Sequence, residues 1–226
     1  GVGKTRLALA VAADLLDRFP GGVWFVELAG VTEASEVAST VLTATGAHFV
    51  PGLQGVEQVI AALAEEPTLV VLDNCEHLVE PCAALVDSLL AHQASVHVVT
   101  TTREPLGVAG EVTWRVQSLS APPPEADLAV PALSQYDAVR LFTERARRAR
   151  PTFVVSDANA PAIAQICYRL DGIPLALELA AARCRQMSVE QIATELDDRF
   201  RLLTGGARTL LPRQQTLAAS VDWSYE

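Results

Sequence analysis

The run Leu69-Val70-Val71-Leu72-Asp73 constrains the fold of this chain more than any other segment. Consecutive apolar residues leave neither face of a strand polar, so both faces must be covered. A strand of this kind belongs inside a parallel sheet, where helical crossovers supply cover on both sides. The flanking sequence offers such crossovers. From Lys4 to Arg18 the apolar positions Leu7, Ala8, Val11, Ala12, Leu15 and Leu16 follow helical spacing, and Phe19-Pro20-Gly21-Gly22 breaks the pattern. Val23 to Leu28 reads as a strand. A helix follows with Thr32 and Glu36 near its start and Leu42 toward its end, and a second spans Val56 to Leu63, closed by Pro67. Leu78 to Leu90 reads as helix, Val96 to Thr100 as the next strand, and Val112 to Val116 as a short further one. The alternation predicts an α/β domain with right-handed crossovers and helices on both faces of a parallel sheet.

The pattern changes at Ala121-Pro122-Pro123-Pro124, a stiff segment that reads as a linker over 121–133. An α/β domain then occupies 1–120 and a helical domain 134–204. The predicted helices of the second domain are Ser134–Arg148, Asp157–Leu170, Pro174–Arg185 and Ser188–Phe200. A loop around Gly205-Gly206 leads to a last segment from Leu211. Neither end reads as a natural terminus. Gly1 is not an initiator Met and already lies in a phosphate-loop motif, while Asp222-Trp223-Ser224-Tyr225-Glu226 looks helical without a cap.

Charge narrows the function classes. The formal net charge is −10, and a surface that grips nucleic-acid phosphates has to be basic, so no direct nucleic-acid binding is expected of this segment. Cys75, Cys82, Cys167 and Cys184 follow no disulfide framework, and neither a signal peptide nor an apolar run of membrane-spanning length is present. A reduced, cytoplasmic protein without a membrane partner is the expectation.

The chemistry-bearing residues cluster at strand ends and helix starts. Gly1-Val2-Gly3-Lys4-Thr5 matches the end of a G-x-x-x-x-G-K-[ST] phosphate loop. Glycines let backbone N–H groups wrap phosphates, Lys4 reaches the β- and γ-phosphates, and the Thr5 hydroxyl ligates Mg²⁺. Asp73, ending a buried strand, suits the second magnesium contact; the alternative is a cap for the next helix. Asn74 stands where a hydrolytic ATPase commonly carries an acid, and an amide cannot act as a general base. Glu76 could serve as that base or be a first-turn helix acid, so hydrolysis is expected to be slow. Arg103, after the third strand, suits a γ-phosphate sensor or a surface ion pair with Glu104. Gly172-Ile173-Pro174-Leu175 is a good helix start, and Pro174 could also pack on the base or ribose of a nucleotide. Cys75, His77 and Cys82 match no zinc spacing, and His48, His92 and His97 have no partner pattern. Arg145, Arg147, Arg148 and Arg150 read as a solvated helix end more than as a phosphate site.

Taken in order, Gly1 to Ala8, Leu69 to Leu78, Thr101 to Leu106 and Gly172 to Glu178 resemble the NB-ARC ATPases of the STAND class, nearest to the branch found in bacterial AfsR-like and LuxR-type transcriptional regulators. Leu211-Pro212-Arg213-Gln214-Gln215-Thr216-Leu217 and Trp223-Ser224-Tyr225 resemble the start of that family's winged-helix segment, placed at 205–226. The resemblance implies a P-loop NTPase sheet whose first strand precedes Gly1. It also implies an adenine nucleotide (ATP or ADP) with Mg²⁺ held by Thr5 and Asp73. Gly1, Val2, Gly3, Lys4, Thr5, Arg6, Arg103 and Pro174 become the nucleotide-binding set, and Asp73 and Glu76 the catalytic one. The implied function is a signalling switch closed with ADP and opened by ATP, flanked by effector and repeat domains and able to form nucleotide-dependent oligomers. A turnover ATPase and an interaction module without functional nucleotide binding are the alternatives.

Overall fold

The computed structural model describes residues 1–46, 50–63, 66–123 and 129–196. His48, Pro124, the end of the helix proposed to reach Phe200, the Gly205-Gly206 loop and the winged-helix resemblance at 205–226 lie outside them. The chain divides into two compact units, Lys4–Arg115 and the residues from Val116 onward, the latter including Gly1–Gly3.

In the first unit, α1 (Lys4–Asp14) precedes β1 (Val23–Glu27), α2 (Glu36–Thr45), α3 (Val56–Ala62), β2 (Thr68–Asp73), α4 (Val79–His92) and β3 (Val96–Thr100). The strands form a parallel sheet in the order β1-β2-β3, with Val23 opposite Leu69 and Thr68 opposite Val96. All six residues of β2 are buried, as its unbroken apolar run requires. Its alternating side chains serve two separate cores. Leu69 and Val71 meet Ala8 and Ala12 of α1, whose small side chains allow close approach. Val70 and Leu72 face the other way, into a core with Val41 of α2, Val59 of α3 and Leu85 and Leu89 of α4. The unit is therefore α/β with helices on both faces of the sheet. Gly46, at φ 62°, closes α2 by donating its N–H to the Leu42 and Thr43 carbonyls, the left-handed stop that glycine adopts without a Cβ penalty. Buried Gln58 holds the turn before α3, accepting from Val50 N–H and donating to the Val50 and Leu53 carbonyls.

The strand expected over Val112–Val116 does not form. Val112 and Trp114 have good strand propensity but are 89% and 81% exposed, and no described strand pairs with them. β-propensity measures fit to a half-buried pleated surface, and without that surface it specifies nothing.

The second unit is helical: α5 (Val130–Leu133), α6 (Asp137–Ala149), α7 (Ala160–Arg169), α8 (Pro174–Ala182) and a helical stretch over 189–196. The helix expected from Ser134 begins only at Asp137, because Tyr136 is extended at φ −78°, ψ 129° and α6 starts after it. Asp137 N–H is then satisfied by the Ser120 hydroxyl at 2.9 Å. Phe142, Phe153, Ile163, Ile166, Leu170 and Leu177 build the core, with Phe142 and Phe153 edge to face. Arg145 of α6 donates to Glu178 of α8 at 2.9 Å, and this hydrogen bond raises the guanidinium's already high pKa further. Among the described residues no helix is long and apolar enough to cross a membrane.

Candidate functional site

The carboxyl ends of β2 and β3 lie side by side in the parallel sheet, the edge of an α/β fold where ligands are usually met. Asp73 ends β2 and is 5% exposed. Its Oδ1 accepts a hydrogen bond from the Thr101 hydroxyl at 2.6 Å, short as expected for a charge-assisted O–H···O⁻ contact. Thr101, also 5% exposed, is the first residue past β3. Its hydroxyl oxygen accepts from Asn74 N–H at 2.9 Å, and its carbonyl accepts from Cys75 N–H at 2.9 Å. Oδ1 is thus an acceptor, and Oδ2 carries no hydrogen bond among the described residues.

Asn74 sits in the left-handed region at φ 67°, ψ 49°. Asn tolerates that region better than most side chains, so its place here has a backbone reason beside the chemical one. The turn lets the chain leave β2 and enter a short 3-10 turn over Cys75–His77.

That turn carries Glu76. Its Oε1 accepts from Arg103 Nε at 2.9 Å, so Arg103 is paired with Glu76 and not with the adjacent Glu104 of the sequence expectation. Arg103 is 79% exposed along its side chain and Glu76 19%. Glu76 Oε2 and Thr102 Oγ1 are buried and lack hydrogen-bond partners. Two orphaned polar atoms at neighbouring strand ends are the kind of feature a bound polar ligand accounts for.

Lys4 and Thr5 form the first turn of α1, preceded by Gly3 at φ 94°. Neither side chain has a hydrogen-bond or ion-pair partner among the described residues. Arg6 is on the same turn. Gly1, Val2 and Gly3 belong to the helical unit, where Leu175 N–H donates to the Gly1 carbonyl at 3.3 Å. Pro174 occupies the first turn of α8, so the structure brings Gly1 beside the Gly172-Ile173-Pro174 element.

The remaining candidates have structural roles. His77 Nε2 donates to the Val31 carbonyl at 2.8 Å, His92 Nδ1 to the Ser88 carbonyl, and His97 stacks edge-on against Phe19. All four cysteines are buried free thiols. A hydrogen bond to Cys82 and burial push the Cys75 thiol up, and burial raises Cys184 to about 11. Among the described residues no three His, Cys, Asp or Glu side chains are grouped to hold a metal ion. Arg145 is tied to Glu144 and Glu178, Arg148 pairs with Glu144, and Arg150 lies over the Phe153 ring.

Sequence reasoning missed Thr101 as the partner of Asp73 and Glu76 as the partner of Arg103. The signal available was the polar tripeptide Thr101-Thr102-Arg103 at a strand end parallel to Asp73-Asn74-Cys75-Glu76.

No family model matches the chain. It is 47% identical over 227 residues to a Mycobacterium tuberculosis H37Rv protein provisionally named an HTH-type transcriptional regulator. A Mycobacterium bovis protein of the same description matches at the same identity. It is also 41% identical over 225 residues to an uncharacterized protein of Mycobacterium tuberculosis H37Rv. All of this chain takes part in each alignment, yet it spans only 24% of the first two proteins and 54% of the third.

Proposed function

We propose that this chain is the ATP- and ADP-binding switch module of a transcriptional regulator. The observation that carries the reading is Asp73, a carboxylate at the end of a strand buried on both faces, aimed by Thr101 from just past the neighbouring strand. The name of the longer relatives supports the regulatory setting. In this reading Gly3 and the first turn of α1 cradle phosphate through backbone N–H groups, with Gly1, Val2 and Arg6 flanking the loop. Lys4 neutralises the outer phosphates, and Arg103 engages the third phosphate of ATP.

The residues fit magnesium. Asp73 Oδ2 and the Thr5 hydroxyl are hard oxygen donors without other engagement. The lack of a three-ligand protein cluster among the described residues suits a cation that completes its shell with phosphate and water. Magnesium, when bound, supplies positive charge to the phosphates. Asn74 offers no proton-accepting group and Glu76 Oε1 is engaged by Arg103, so exchange of ADP for ATP sets the state of the switch better than rapid turnover does.

Calorimetric titration of the full-length protein with ADP and ATP in magnesium, beside its Lys4→Ala variant, tests this. Tight binding in the parent and its loss in the variant is expected. Binding that survives the substitution would remove the phosphate-loop role. A folded parent that binds neither nucleotide would favour an interaction module, and rapid steady-state hydrolysis a turnover ATPase.

A further inference from the structure

We infer that Glu76 is a specificity-determining residue that withholds Arg103 from the third phosphate and so weakens the preference for a nucleoside triphosphate over a diphosphate. The inference rests on the nucleotide-binding reading above and assigns the regulation of that same site.

Glu76 is the less exposed member of the pair and is held by a short turn between buried Cys75 and Leu78. Arg103 is less enclosed, with most of its side chain in solvent. The contact uses Nε alone, and the two terminal nitrogens of the guanidinium have no partner among the described residues. A guanidinium fork binds phosphate best when it can present two parallel N–H groups, so its orientation decides what it can do. Anchoring through Nε to a fixed carboxylate restricts that orientation.

The carboxylate also has reason to keep its donor. Oε2 is buried without a partner, which leaves Arg103 as the one hydrogen-bond donor to Glu76 among the described residues. A mostly buried carboxylate that gives up its last protein donor loses a charge-assisted hydrogen bond, and that cost opposes release. A terminal phosphate must therefore compete with Glu76 for Arg103. A diphosphate, which does not call on Arg103, meets no such competition. The two nucleotides thus come closer in affinity than the cation alone would make them, and a switch that responds to their ratio needs them close.

The test compares affinities for ADP and for a non-hydrolysable ATP analogue, both with magnesium, in the full-length protein and in Glu76→Gln, Arg103→Gln and the double variant. Glu76→Gln keeps the shape and removes the charge, and should raise the triphosphate-to-diphosphate affinity ratio about threefold to fivefold, the scale of an exposed ion pair. Arg103→Gln should lower the ratio, and Glu76→Gln should have no effect on it in that background. An unchanged or lower ratio in Glu76→Gln overturns the inference while leaving the nucleotide site intact. An equal rise with and without Arg103 overturns it as well, since Glu76 would then act by direct repulsion of the phosphate. A folded wild-type protein that binds neither nucleotide fails both readings at once. Should Glu76→Gln not fold, Arg103→Gln still decides, because an unchanged ratio there excludes any competition for Arg103.

Discussion

At the scale of single residues, the candidate site is organised by contacts between positions distant in sequence. Thr101 does three jobs: it donates to Asp73, accepts from Asn74 N–H and receives Cys75 N–H on its carbonyl. Thr101→Val keeps the shape and deletes the hydroxyl, leaving a buried carboxylate oxygen and a backbone N–H without partners. The expected loss is about 1–3 kcal/mol of stability, read as a lower denaturation midpoint, together with weaker magnesium-dependent nucleotide binding. Asp73 and Arg103 stood out in the sequence because strand-end carboxylates and arginines have recognisable chemistry. Their partners did not. The nearest acid in sequence to Arg103 is Glu104, whereas parallel pairing of β2 with β3 delivers Glu76. Which of two acids an arginine meets is set by strand register, and register is not local information.

Among elements, legibility followed apolar runs that pair in the sheet. β1, β2 and β3 formed within a residue of expectation, although only β2 is buried along its whole length. Val112–Val116 has similar propensity but no pairing strand among the described residues, and is irregular. The helix expected from Ser134 starts at Asp137, since Tyr136 is extended and the contact that favours the later start, Asp137 N–H with the Ser120 hydroxyl, comes from outside the helix. In the Gly172-Ile173-Pro174 element the sequence marks Pro174 as a helix start, and the glycine proves equally constrained. Gly172 has φ 61°, its carbonyl accepts from Leu119 N–H at 2.9 Å, and a Cβ would strike the Leu119 carbonyl oxygen. Gly172→Ala should therefore cost at least about 1–2 kcal/mol from the left-handed backbone alone, with the clash in addition. Thermal unfolding of the variant checks this, and a midpoint equal to wild type would mean the turn relaxes freely.

For the whole molecule, each unit carries its own core, aliphatic around the sheet and centred on Phe142 and Phe153 in the helical unit. With a net charge of −10, this segment is the opposite of the basic surface that gripping nucleic-acid phosphates requires. β2 has a consequence of its own for how this protein can vary. In a strand with one solvent face, every second position is open to drift; in β2, Leu69 and Val71 are committed to one core while Val70 and Leu72 are committed to another. No position in the run is free, and large-to-small changes such as Leu72→Ala should each cost about 2–5 kcal/mol. A saturation library scored for folded protein should accordingly show an unbroken intolerant block from Leu69 to Leu72, without the every-other-residue rhythm of a half-exposed strand. Variation in this protein is thus channelled away from the segment that delivers Asp73.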